Sequence, residues 1–195
     1  GAGRVGEFIA AEAIMELSAH EKEFRQQRLA NLATLQAAGH TPYGRAFART
    51  GTLAEIRAAF AEGRPVQAAG RVVAVREMGK STFAHLQDGT DKFQIYLQKN
   101  TLGEESFTAF KAIDLGDFIG VSGELFTTRT GEQSLKVAQW ELLAKSLHPL
   151  PEKWHGLSDP EVRYRQRYLD LIANPDVRKV FNARSRILSF IRRFL

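Results

Sequence analysis

Phe83 and Gln94 are the residues in this chain whose types and spacing most clearly offer chemistry. Read with period-two alternation, the run around Phe83 sets Ala84 and Leu86 on one face and Ser81, Phe83 and His85 on the other. The next run sets Phe93, Ile95 and Leu97 on an apolar face, leaving Gln94, Tyr96 and Gln98 opposite. If the apolar faces fill a core, Phe83 stands outside it among Gln94, Tyr96 and His85. A flat ring on a polar sheet face, with cations nearby, can hold an unstacked nucleic-acid base while an amide reads the base's edge. The same ring could instead be covered by another part of the chain.

Other chemistry is harder to find. The histidines stand at positions 20, 40, 85, 148 and 155, and none pairs with another His, Asp or Glu at helical metal-ligand spacing, so no metal site is expected. Gly79-Lys80-Ser81 has the end of a phosphate-binding loop, but Ala74 occupies the earlier glycine's place and the triplet joins two strands rather than a strand and a helix. It reads as a hairpin turn. Nothing singles out a nucleophile, so no catalytic residue is assigned.

The elements that must position Phe83 and Gln94 follow from the rest of the chain. Five strands are predicted near 66–77, 81–88, 92–98, 117–127 and 133–143, with a short helix near 104–111 carrying Phe107 and Phe110. Met78-Gly79-Lys80, Asp88-Gly89-Thr90 and Arg129-Thr130-Gly131 are turns between them. Gly70, Gly120 and Gly123 fall inside strands, where glycine marks a bulge or bend. Short, bent strands in the order β-β-β-α-β-β match the five-stranded Greek-key barrel called the OB-fold, which binds oligonucleotides with its second and third strands. Those strands present Phe83 and Gln94.

Two helices precede the barrel. Residues 18–39 open with Ser18 and Glu21 as a capping box, bury Phe24, Leu29, Leu32 and Leu35, and expose Lys22, Arg25, Gln26, Gln27 and Arg28. Thr52 and Glu55 cap a second, shorter helix whose stripe is Leu53, Ile56 and Phe60. After the barrel, His148-Pro149-Leu150-Pro151 is an extended linker. One helix then begins near Ser158 or Asp159 and runs through Leu171. Asn174-Pro175 starts a final helix striped by Val177, Val180, Phe181, Ile187, Leu188, Ile191 and Leu195. With no cap at Leu195, the chain reads as cut within a longer protein. The expected division is a helical extension over 1–63, the barrel over 64–148, and a linker with further helices over 149–195. Met15 is a candidate start.

Composition sets the bounds. The 195 residues can bury a sizeable core, and 44% of them are hydrophobic. There is no cysteine, which removes disulfides and thiolate metal sites and fits a reducing cytosol. No run approaches the ~20 apolar residues of a membrane span, and 1–14 lacks the pattern of a signal peptide. A net charge of +5 favours a polyanionic partner. Between Arg163 and Arg193 stand eight arginines and one lysine against Asp170 and Asp176. That stretch is either a solvated or subunit-facing helix surface or an RNA contact.

Several passages together resemble the amino-terminal part of class II lysyl-tRNA synthetases. They are Gly70-Arg71-Val72, Arg76-Glu77-Met78-Gly79-Lys80-Ser81-Thr82-Phe83, Leu86-Gln87-Asp88, Phe93-Gln94-Ile95-Tyr96 and Asp114-Leu115-Gly116-Asp117. The most specific runs from Pro149 through His155-Gly156-Leu157 to Arg163-Tyr164-Arg165-Gln166-Arg167-Tyr168-Leu169-Asp170-Leu171. Its last part has counterparts in aspartyl and asparaginyl enzymes, and the His-Gly-Leu approach points to lysine.

The resemblance implies a mainly β fold with flanking helices: an OB barrel that grips the anticodon stem-loop of a tRNA. It implies that Phe83 stacks on the central uridine, that Gln94 hydrogen-bonds its edge, and that Arg76 secures base or backbone. Glu132 is implied to contact a neighbouring anticodon base, or else to cap its turn. His85 and Tyr96 acquire no role and are read as packing or rim residues. Residues 180–195 are similar to the opening of motif 1, the dimer element of class II synthetases, with motifs 2 and 3 absent. Arg163, Arg165, Arg167, Arg184 and Arg186 are accordingly assigned to dimer or interdomain links. The full family enzyme is cytoplasmic and dimeric, and attaches lysine to its tRNA using ATP and Mg²⁺; no cofactor is assigned to this chain. The alternatives are a free-standing OB module for single strands, and a synthetase-derived regulator or dimerisation fragment.

Overall fold

A computed structural model describes residues 19–43, 46–150 and 159–195. It divides the chain into two compact units, Gly1–Pro149 and Leu150–Leu195. Ser18 and most of the Pro149–Leu157 passage lie outside the described residues.

The first unit is a closed barrel of β1 (Pro65–Met78), β2 (Ser81–Gln87), β3 (Lys92–Gln98), β4 (Phe118–Thr127) and β5 (Gln133–Ala144), in the order β1-β2-β3-β5-β4. This is the OB-fold with flanking helices that the sequence predicts. β1 is long enough to serve two neighbours: its first half pairs with β4, its second with β2, and Arg71 belongs to both ladders. A register shift between Val72 and Ala74 falls just after that handover, and such a bulge is what lets one strand bend across two sheets. Closure comes from a parallel contact between β3 and β5, from Gln94 opposite Ser134 to Tyr96 opposite Lys136. The apolar phases of all five strands converge inside, where Val72, Ala84, Leu86, Phe93, Ile95, Leu97, Val121, Leu125, Leu135 and Val137 are buried. Gly123 sits at a second register shift, where a Cβ would come within 1.9 Å of the Lys136 carbonyl oxygen, so only glycine lets β4 approach β5 that closely.

Helices flank the barrel. α1 is Ala19–Ala37 and α2 is Leu53–Ala58; α3 (Lys99–Leu102) and α4 (Glu104–Phe110) sit between β3 and β4. α3 is a single turn without an apolar period, and the sequence reading omitted it. The Thr52–Glu55 capping box of α2 forms as expected, and Leu53 N–H donates to Asp88 Oδ2 at 2.9 Å, tying the helix to the β2–β3 turn. α4 buries Phe107 and Phe110; Phe110 meets Trp140 edge-on at 5.3 Å, while His40 stacks on the indole at 4.2 Å.

α1 differs from expectation. Its contact face is Arg28, Asn31 and Leu35, whereas Phe24 and Leu29 are more than two-fifths exposed. Arg28, read as solvent-facing, is buried: its guanidinium donates to the carbonyls of Ser146 (2.8 Å), His148 (2.9 Å) and Leu115 (3.0 Å). These carbonyls lie in chain that leaves the barrel's regular ladders, so a fork of donors supplies the partners that strands do not. Beside them the Asp114–Asp117 turn wraps Lys145, whose ammonium is fully buried between Asp117, at 2.7 Å, and Asp114. Asp117 also accepts from the N–H groups of Ser146 and Asp114, both at 2.8 Å. This explains why Asp-Leu-Gly-Asp stands there: the motif is a structural clasp.

The second unit holds α5 (Pro160–Arg165), α6 (Arg167–Ala173) and α7 (Pro175–Phe194). The single helix expected through Leu171 is broken at Gln166, which has φ −114° and ψ 57°. The break lets α5 and α6 fold onto a shared anchor, Asp170, whose buried carboxylate accepts from Arg163 (2.9 Å), Asn174 (2.6 Å) and Arg167. No residue of α7 is buried; Val180, Ile187, Phe190 and Phe194 are each at least three-fifths exposed.

Candidate nucleic-acid interface

The outward face of β1, β2, β3 and β5 is built from residues that the strand pleat turns away from the core. Cross-strand register lines them up in two rows. One row runs Arg76, Phe83, Tyr96, Lys136; the next runs Ala74, His85, Gln94, Ser134. Phe83 and Gln94 are therefore diagonal neighbours on one face, a spacing that a planar base can bridge. Arg76 is opposite Phe83, exposed, at the base of the β1–β2 hairpin that also carries exposed Lys80.

Rings form a strip across this face. Phe83 lies 4.8 Å from Tyr96, tilted by 39°, and Tyr96 lies 5.7 Å from Phe126 on β4. Tyr96 thus buttresses Phe83 from one side, and the Phe83 ring remains half-exposed. A propped, half-exposed ring loses little freedom on stacking, which favours a base as the next member of the strip.

Gln94 is more enclosed than alternation alone suggests, at 8% exposure. Its Nε2 donates to Ser134 Oγ at 2.8 Å, and Ser134 Oγ donates in turn to the Glu132 carbonyl at 3.3 Å. Among the described residues nothing donates to the amide oxygen of Gln94. Glu132 sits in the β4–β5 turn, where its N–H and C=O both bond Thr128. The turn is thus capped by its backbone, and its carboxylate is turned to His85 Nε2, 3.6 Å away. Phe83, Gln94 and Glu132 come together on one side of the barrel, with Arg76 beside Phe83.

Residues that sequence reasoning left without a role are also here. Ser134, Phe126 and Lys136 join the face only because β5 runs parallel to β3 and closes the barrel. Alternation would have turned them outward, but nothing local says which strand they meet.

The arginines of the second unit are placed differently. Arg163 and Arg167 bind Asp170 within their own unit, and Arg165 pairs with Glu161 at 2.8 Å. All three thus have an acidic partner inside the unit. Arg184 and Arg186 are exposed on α7 and make no ion pair with any described residue. Among the described residues no three His, Asp or Glu side chains gather as metal ligands, and no helix is long and apolar enough to cross a membrane.

Comparison with known proteins follows the same line. The tRNA anti-codon family model, described as an OB-fold nucleic acid binding domain, matches residues 66–143. Over 187 residues, 93% of this chain, it is 49% identical to a lysine–tRNA ligase of Pelotomaculum thermopropionicum, of which it covers 37%. A lysine–tRNA ligase of Carboxydothermus hydrogenoformans is 50% identical over 175 residues, 89% of this chain and 36% of the relative. One from Aquifex aeolicus is 58% identical over 132 residues, 67% of this chain and 22% of the relative. The chain spans little more than a third of the length of the curated relatives it matches.

Proposed function

Through residues 66–143 the chain belongs to the tRNA anticodon-binding OB-fold family, in the form shared with lysine–tRNA ligases, and from that premise we propose that its barrel reads the anticodon of a lysine tRNA. The observation that carries the reading is the shared face of Phe83 and Gln94 on β2 and β3, with Arg76 opposite the ring. Phe83 stacks on the central uridine, Gln94 bonds its edge, and the exposed guanidinium of Arg76 holds base or phosphate. Glu132, on the same side, contacts a neighbouring base.

The longer protein would be a cytoplasmic, dimeric ligase that joins lysine to its tRNA at the expense of ATP. Mg²⁺ and ATP would supply the activation. Among the described residues no three His, Asp or Glu side chains gather as metal ligands, and none is assigned to hold Mg²⁺ or ATP. The exposed apolar stripe of α7, with Arg184 and Arg186 beside it, suits the dimer or interdomain contact.

The test is a calorimetric titration at fixed salt with an anticodon stem-loop bearing a UUU loop. Phe83→Ala is expected to weaken binding by ~1–3 kcal/mol, the range for a lost base stack. Unchanged affinity refutes the stacking role. Equal affinity of the unaltered chain for a scrambled loop, with a steep salt slope, would instead identify a single-strand module without sequence preference.

A further inference from the structure

We infer that Ser134 is a positioning residue that orients the Gln94 amide so that it selects a base carrying an imino N–H. The inference rests on the anticodon reading above. It starts from donor and acceptor accounting at a buried pair. A serine hydroxyl has one proton. Ser134 Oγ gives that proton to the Glu132 carbonyl, which can only accept. While it does so the hydroxyl has only lone pairs to offer Gln94, and the group facing it is the NH₂, at 2.8 Å.

With Nε2 held inward, Oε1 is the outward end of the amide, and no described residue donates to it. Ser134 is fully buried and Gln94 nearly so, which keeps water from competing for the inner bond and makes a flipped amide costly. A flipped amide would have to draw the hydroxyl proton away from the Glu132 carbonyl to satisfy Oε1, giving up that bond.

The chemical consequence is a choice between bases. At the centre of its pairing edge uracil carries N3–H, a donor, while cytosine carries a bare N3, an acceptor. An outward Oε1 accepts from the first and repels the second. Phe83, by contrast, offers the same stacking surface to either pyrimidine. In this division Phe83 supplies affinity, Gln94 supplies the reading, and Ser134 decides which way the reading points.

The experiment compares two RNA stem-loops, one with a UUU loop and one with cytidine at the middle position, which replaces the N3–H donor by a bare N3 acceptor. Each is titrated against the unaltered chain, Ser134→Ala and Phe83→Ala. The unaltered chain is expected to bind the cytidine loop about tenfold more weakly, the effect of one lost hydrogen bond. In Ser134→Ala the amide is free to turn, so the penalty is expected to shrink to within about twofold. A purely structural role for Ser134 would lower the melting temperature and weaken both loops alike, leaving the tenfold ratio intact. An intact ratio in Ser134→Ala, or no penalty in the unaltered chain, overturns the inference. If Phe83→Ala binds the UUU loop as well as the unaltered chain, the anticodon reading itself fails and the relay falls with it. If Phe83→Ala weakens binding while Ser134→Ala keeps the full penalty, only the relay is lost.

Discussion

Lys145→Met tests whether the clasp at the end of the barrel is what fastens its last strand. The ammonium has no exposed surface and sits between two carboxylates, 2.7 Å from Asp117 and in direct contact with Asp114. Asp117 is itself inaccessible, and its other partners are two backbone N–H groups. Methionine keeps the length of the stem and removes the charge, leaving two carboxylates facing each other with nothing between them. Breaking a buried pair in this way costs about 3–5 kcal/mol, because the surviving charge stays desolvated. Against a typical stability of ~5–15 kcal/mol, that is a large share, equivalent to a fall of about 10 °C in melting temperature for a unit of this size. Urea unfolding followed through the fluorescence of buried Trp140 should show a lower midpoint with an unchanged slope. Asp114→Asn should cost less, about 1 kcal/mol, since that side chain is one-fifth exposed and keeps Asn31 as a neighbour. A loss below ~1 kcal/mol for Lys145→Met, or one no larger than that of Asp114→Asn, would refute this account of the clasp.

Two further perturbations separate the flanking parts from the barrel. Arg28→Ala strands three carbonyls and should loosen α1 by ~2–3 kcal/mol, seen as faster amide exchange in α1 while the β3 and β5 amides stay protected; Arg28→Lys should recover less than half of that, because one ammonium cannot span the fork. Burial against Trp140 holds the His40 imidazole below its ordinary value of 6.5, with Glu141 pulling the other way. The folded state therefore prefers neutral His40: its contribution is complete above about pH 6.5 and declines as the pH falls and the unfolded chain takes up the proton first. Proton NMR should place the His40 titration below that of a free histidine, and His40→Phe should flatten the fall in stability between pH 7 and pH 5; a His40 titration at or above 6.5 would contradict the burial argument.

Period and turn chemistry made much of the barrel legible in advance. Alternation in 81–98 is a local property of the pleat, so it places Phe83 and Gln94 on one face whatever the strands later meet. Gly79, Gly131 and Asp88 mark turns by their own backbone preferences, and the Thr52–Glu55 box caps a helix within its first turn. Helix phase was less reliable. The Phe24–Leu35 stripe was apolar by pattern, yet the surface it meets is a set of carbonyls and Asp114, so the helix rolled to bring Arg28 and Asn31 inward. The break at Gln166 was equally hidden, since it depends on Asp170 gathering arginines from both sides of it.

By itself, then, the order of residues determined the strands, their turns, the outward phase of an aromatic and an amide, and the family likeness. Only the tertiary structure decided the parallel meeting of β3 with β5, which puts Ser134 against Gln94 and Phe126 against Tyr96. The physical reason is distance along the chain: a pleat or a cap is set by neighbours a few residues away, whereas a hydrogen bond spanning forty positions exists only once the barrel has closed.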